Sequence, residues 1–197
     1  MRIKAKAVTI VPRNAEREPH QLMDLDPNRL TDALAAALYA KGAAKASGWL
    51  IVFLHGEHEP RRNVYRPHFH GYAYGGMVDV VRRLRELPNY KTRKFGKDGR
   101  VNAVYRPVQV KQKRPRNFRR QIAYRLQSYW PAKAIIISDD GQHKRARRRR
   151  RIPEPYHSQV LLWLDRWKLS DLTLMIGLRV TRNGLVQTKR SASRTRS

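Results

Sequence analysis

Residues 49–74 read WLIVFLHGEHEPRRNVYRPHFHGYAY, and this stretch decides the fold. Residues 49–59 (WLIVFLHGEHE) form an apolar run that ends in polar chemistry, which reads as a buried strand. Residues 60–64 (PRRNV) turn the chain. Residues 65–74 (YRPHFHGYAY) read as a second strand, antiparallel to the first. Successive side chains on a strand point to opposite faces. His68, His70, Tyr72 and Tyr74 therefore share one face. Phe69, Gly71 and Ala73 point to the other, where helices can pack.

Working outward, residues 2–11 (RIKAKAVTIV) alternate and predict a first strand, and residues 12–26 a loop. Asp26-Pro27 then opens a helix, with Asp26 at the N-cap and Pro27 at the first helical position. Leu30, Leu34 and Leu38 give that helix an apolar stripe, and Gly42 or Gly48 ends it. Beyond the central stretch, Gly75-Gly76 breaks the strand and 77–87 predict a helix. A basic loop over 88–100, a strand over 101–110 and a basic helix over 116–129 follow, the helix stopped by Pro131. Residues 133–138 read as a strand, 139–152 as a loop, and 154–168 as a helix whose Trp163 and Trp167 suit a core. A hairpin is expected within 173–188, turning at Asn183-Gly184. There is no internal repeat. Mixed helices and strands, with neighbouring strands antiparallel, predict an α+β fold: one central sheet with helices mainly on one face.

Composition narrows the function. The 197 residues suit one domain with a tail. Lys and Arg number 43 against 15 acids, a formal charge of +28. An excess of that size is tolerated when a polyanion neutralises it, and nucleic acid is the expected partner. No basic helix carries the broad apolar face that an anionic membrane surface needs. No run of about 18 apolar residues predicts a membrane span. The N-terminus lacks the continuous apolar segment of a signal peptide. The absence of cysteine is compatible with a reducing cytoplasm, the expected location, and excludes thiolate metal sites and a cysteine nucleophile.

Two constellations carry chemistry. His68 and His70, at i and i+2 on one strand face, can bind a single metal ion. The preceding strand offers Glu57 and Glu59 as further ligands. His55 shares their parity and His58 has the other, so the register decides which residue joins the pair; a bulge at Gly56 would admit His58. The second constellation is Tyr124 in the basic helix 116–129, with Gln127 and Ser128 one turn on and Arg119, Arg120 and Arg125 around it. A phenol titrates near 10 and is a poor nucleophile until cations favour the phenolate. The same cations would hold a phosphodiester.

His68-Phe69-His70 resembles the paired-histidine motif of the HUH endonuclease superfamily, in which a bulky apolar residue separates the two histidines. The upstream Leu54-His55-Gly56-Glu57-His58-Glu59 resembles the strand that supplies the third ligand. Tyr124, downstream of the paired histidines, resembles the catalytic tyrosine of rolling-circle replication initiators, and the order of elements matches theirs. The initiators carry a Lys three or four residues after the tyrosine, where this chain has Gln127 and Ser128. Tyr129 is the alternative nucleophile, with Lys133 four residues on and Pro131 between them. Tyr124 and Tyr129 are five apart and lie on different helical faces, which favours one nucleophile.

The resemblance covers 1–138 and implies an HUH-type nuclease domain there, with a ferredoxin-like or RRM-like sheet of about five strands. After it come a basic loop (139–152), a C-terminal helix and hairpin packed on the domain (153–188) and a disordered basic tail (189–197). It implies Mg2+ or Mn2+ held by His68, His70 and Glu57 or Glu59. The tyrosine attacks the scissile phosphate, leaving a 5′-phosphotyrosine and a free 3′-hydroxyl that can rejoin. The expected role is initiation of rolling-circle replication of a plasmid, phage or mobile element on single-stranded or hairpin DNA. With no G-x-x-x-x-G-K-[ST] loop, the chain would borrow a host helicase and polymerase. No small-molecule substrate and no membrane are expected. The nucleic-acid contacts expected are Arg66, Tyr72, Tyr74, Arg119, Arg120, Arg125, Lys133, Arg147, Arg148, Arg149, Arg150 and Arg151. The alternative is a non-catalytic basic DNA- or RNA-binding protein with a degenerate nuclease fold.

Overall fold

A sheet of five antiparallel strands organises the computed structural model, which describes residues 5–95, 103–111, 130–132, 135–137, 143–145 and 150–188. The strands up to the central hairpin are β1 (Lys6–Ile10), β2 (Trp49–His55), β3 (His58–Glu59), β4 (Val64–Tyr65) and β5 (His68–Tyr74). Then come β6 (Arg93–Phe95), β7 (Ala103–Tyr105), β8 (Val108–Val110), β9 (Pro131–Ala132) and β10 (Ile135–Ile137). The last are β11 (His143–Arg145), β12 (Arg150–Arg151), β13 (Thr173–Ile176), β14 (Leu178–Thr181) and β15 (Gly184–Gln187). The α-helices among the described residues are α1 (Pro27–Ala40), α2 (Met77–Arg83) and α3 (Tyr156–Asp165).

The main sheet runs β13-β2-β5-β1-β8, and each of its ladders is antiparallel. The path β1-α1-β2-β5-α2-β8 is the ferredoxin-like split βαβ arrangement, with β13 added beside β2. A smaller sheet, β12-β9-β3-β4, continues from the end of β2.

Local chemistry sets α1. The Asp26 carboxylate accepts the Asn28 N–H at 2.8 Å, and Pro27 fills the first helical position. The helix closes at Gly42, whose φ of +92° suits a residue without Cβ. There Gly42 N–H reaches Tyr39 O and Ala43 N–H reaches Leu38 O, each at 3.0 Å. Leu30, Leu34 and Leu38 are buried as the stripe predicts. They pack with Met77, Val80 and Val81 of α2 onto Val8, Ile10, Leu50, Val52, Leu54, Phe69 and Ala73 of the sheet. Trp163 of α3 joins the same core and donates its indole N–H to Leu25 O at 2.8 Å. The three helices thus cover one face. The other face carries a smaller apolar cluster of Ala5, Ala7, Ile51, Phe53 and Tyr72. No helix among the described residues is long and apolar enough to cross a membrane.

Several boundaries differ from the sequence reading. The strand expected over 49–59 ends at His55, and β3 belongs to the second sheet. The strand expected over 101–110 is divided before Pro107, which has no N–H for a ladder; β7 pairs with β6 and β8 with β1. The basic loop 139–152 contains β11, paired with β10, and β12, paired with β9. The C-terminal hairpin is confined to β14 and β15, and its two-residue turn is Arg182-Asn183, with Gly184 paired to Thr181. Residues 173–176 belong to the main sheet instead, because Leu174 and Ile176 pack against the core beside β2. Within 153–188, β13 joins the main sheet, Trp163 of α3 enters the core, and β14 and β15 form a separate hairpin. The helix expected over 116–129 and the tail 189–197 lie outside the described residues.

Candidate metal centre

The β2–β5 register sets His55 opposite His68 and Phe53 opposite His70. Residues directly opposite on antiparallel strands share a face. His55, His68 and His70 thus project together from the end of β2 and the start of β5, on the face away from the helices. They form a group whose ligating nitrogens all lie within 4.8 Å of one another. His55 and His68 are buried and His70 is partly exposed. The ring centres of His68 and His70 are 4.6 Å apart, and His55 stands 5.5 and 5.6 Å from them.

Hydrogen bonds orient the pair. His68 Nδ1 lies 2.8 Å from Arg66 O. A carbonyl only accepts, so His68 carries its proton on Nδ1 and its lone pair on Nε2. That Nε2 is 3.0 Å from His70 Nε2. The other nitrogen of His70 is 2.9 Å from the Thr9 hydroxyl, which β1 places opposite His70. Two imidazole nitrogens about 2.1 Å from one ion, at an angle of roughly 90–110°, stand on the order of 3.0–3.4 Å apart. The observed spacing meets that requirement. A histidine ligand is held by a partner on its second nitrogen, as Arg66 O and Thr9 provide here. Three neutral imidazoles fit a divalent ion and leave coordination positions open, as catalytic sites do.

The third member is His55, where Glu57 and Glu59 were expected. The reason is Gly56. A Cβ built there would meet the Trp130 ring at 2.4 Å, so the chain leaves β2 under an indole that only glycine allows. The alternation of faces along β2 ends at that residue. Glu57 lies 3.8 Å from Arg66 Nη1 and its carbonyl accepts the Arg66 N–H. Glu59 accepts the N–H groups of Arg61 and Arg62 at 3.2 and 2.8 Å and closes the turn into β4. Neither carboxylate belongs to the histidine group. A Gly56→Ala protein is expected to lose about 1–3 kcal/mol of stability through overpacking. A thermal melt compared with wild type checks this.

His58 also stays outside the group. It is 1% exposed, and its Nε2–H donates to Asn63 Oδ1 at 3.0 Å. Its ring stacks on Tyr156 with centres 5.0 Å apart. Burial lowers its pKa below 6.5, against the opposing pull of Asn63 and Glu59. The unfolded chain then takes up this proton more readily than the folded one. The stability His58 contributes is therefore present above about pH 6.5 and is lost as pH falls toward the folded pKa. His58→Gln is expected to flatten the fall of melting temperature as the pH drops below about 6.5.

The expected nucleic-acid residues divide into three groups. Tyr72 is 0% exposed, so it is a core residue rather than a platform for bases. Tyr74 stacks on Trp49 with centres 5.9 Å apart. Arg66 is held between Glu57 and Glu16, and its carbonyl positions His68. Arg150 and Arg151 are exposed on the edge strand β12, with Arg151 3.1 Å from Glu154. Tyr124, Tyr129, Arg119, Arg120, Arg125, Lys133, Arg147, Arg148 and Arg149 lie outside the described residues. Thr9 is the site residue that the sequence reading passed over. Its only sequence signal was its place in the alternation of β1.

Comparison of the chain with known protein families, with curated proteins and with solved structures returned no match.

Proposed function

We propose that this protein is a metal-dependent endonuclease that nicks and rejoins single-stranded DNA through a tyrosine. The observation that carries the reading is the convergence of His55, His68 and His70 at one end of a ferredoxin-like sheet, in a chain of charge +28. His55, His68 and His70 would hold one divalent cation. When bound, that cation supplies Lewis-acid polarisation of a phosphate oxygen.

The chain's own residues do the rest. Arg66 O keeps the His68 lone pair on Nε2, and Thr9 orients His70. His70 is the partly exposed member of the group, and DNA reaches the site there. Tyr124, with Tyr129 as the alternative, attacks phosphorus through its phenolic oxygen. The new tyrosine–phosphorus bond replaces the bond to the 3′-oxygen, which leaves with a proton as a hydroxyl. One ester is exchanged for another, so the 3′-hydroxyl can reverse the step. The biological role in this reading is to open rolling-circle replication of a plasmid, phage or mobile element, with helicase and polymerase from the host.

Mg2+ and Mn2+ are not equivalent for an all-imidazole donor set.

 Magnesium takes oxygen ligands and dehydrates reluctantly, whereas manganese and the later divalent metals accept nitrogen more readily. Manganese is therefore expected to restore activity to chelator-treated protein at a lower concentration than magnesium.

The test is to incubate chelator-treated protein with a randomised pool of single strands and manganese, then offer the products to a polymerase. The expected result is metal-dependent cleavage that leaves extendable 3′-hydroxyl ends. Tight, salt-sensitive binding with no cleavage would select the second reading, a non-catalytic basic DNA- or RNA-binding protein. That reading draws on Gln127 and Ser128, which stand where the initiators have lysine.

A further inference from the structure

The hairpin of β14 and β15 is mostly exposed; Leu178 and Thr181 are partly buried, and Leu178 packs against the smaller apolar cluster. Val180 and Leu185 face each other across the ladder at 68% and 51% exposure. Arg179 is exposed on the opposite face of the ribbon, across from Val186 at 41% exposure, and Arg182 is exposed in the turn. From residue 172 to the C-terminus the sequence holds Arg179, Arg182, Lys189, Arg190, Arg194 and Arg196, and no Asp or Glu.

We propose that this ribbon docks in the major groove of duplex DNA. Four residues at about 3.3 Å each make a blade roughly 13 Å long, two strands and about 4.8 Å wide between backbones. The major groove of B-form DNA, about 12 Å wide and 8.5 Å deep, admits a two-stranded ribbon, and the minor groove, about 6 Å wide, does not. A-form RNA presents a deep, narrow major groove, which selects DNA over RNA. Val180 and Leu185 face the groove floor and offer apolar contact to thymine methyl groups, Arg182 meets phosphate from the turn, and Arg179, on the other face beside Val186, reaches a flanking phosphate. Pairing of two ribbons from two copies would bring like charges together with no acid to offset them. The ribbon follows β13, whose Ile176 pairs with Leu50, while the histidines stand at the His55 end of β2. The five residue steps between Leu50 and His55 span roughly 17 Å, so the ribbon and the metal centre are separate surfaces.

The inference rests on the nucleic-acid reading above but not on cleavage, and the test separates the two. Binding of the full chain to a short random-sequence duplex and to a single strand is measured over a range of salt. The variants are Arg179→Ala with Arg182→Ala, and Val180→Ser with Leu185→Ser. The arginine variant is expected to weaken duplex binding about tenfold or more and to reduce the salt slope by about 1.8, two phosphates at 0.9 each. The apolar variant is expected to weaken duplex binding with the slope unchanged. Both keep wild-type affinity for the single strand and wild-type metal-dependent cleavage of it. Duplex affinity and slope unchanged in both variants would overturn the proposal. Conversion of a dimer to a monomer by the Val180→Ser, Leu185→Ser protein would overturn it too, in favour of a second copy.

Discussion

His68→Ala is expected to lose divalent-metal binding and DNA cleavage together while retaining salt-dependent DNA binding. His68 is buried, its tautomer is fixed by Arg66 O, and its Nε2 stands 3.0 Å from that of His70. Removal of a group that merely orients a metal ligand costs roughly 10–100-fold in affinity. Removal of one of three ligands is expected to exceed about 100-fold by the same scale. His55→Ala should behave alike, because the register places His55 directly opposite His68. Glu57→Gln and Glu59→Gln should retain metal binding, because neither carboxylate belongs to the histidine group. Calorimetric titration with manganese, paired with a cleavage assay, reads both effects. Metal affinity that falls for Glu57→Gln and stays for His55→Ala would reverse the ligand assignment.

The second large effect belongs to the nucleophile. Tyr124→Phe removes only a hydroxyl, so folding and DNA binding should persist while cleavage falls by on the order of 10⁴-fold or more, as loss of a covalent nucleophile does. Tyr129→Phe is the matched control. The described tyrosines near the core are poorly suited to attack. Tyr65 is buried, with burial and the neighbouring Tyr156 pushing its phenol to a higher pKa. Tyr72 is fully buried. If Tyr129→Phe abolishes cleavage and Tyr124→Phe does not, the nucleophile moves five residues and the reaction class stands. If neither variant changes the rate, a tyrosine mechanism fails.

Much of the fold is legible because its signals are local. The Asp26-Pro27 start, the Leu30, Leu34 and Leu38 stripe and the alternation of 68–74 each need only a few neighbouring residues. The same alternation placed His68 and His70 on one face before any pairing was known. The third ligand depended on a long-range contact. Parity gives His55, Glu57 and Glu59 equal standing, and only the packing of Trp130 on Gly56 decides where β2 ends. Thr9 is harder still, since its role follows from the β1–β5 register across 61 residues. The fate of 173–176 likewise depended on which edge of the sheet was free. A turn signal at Asn183-Gly184 says that a hairpin is near, and β14 with β15 satisfies it without including β13. Tyr72 shows the limit of face counting: sharing a face with the histidines does not make a residue accessible, because a second apolar cluster covers that part of the sheet.

The most direct test uses single strands of randomised sequence labelled at the 3′ end, the end that stays with the protein in a 5′-phosphotyrosine adduct. Wild-type protein and His55→Ala are incubated with the strands and manganese, with and without chelator, and run on a denaturing protein gel. The account predicts a labelled protein band for the wild type that chelator removes and His55→Ala lacks. A labelled band that survives both chelator and His55→Ala would contradict it.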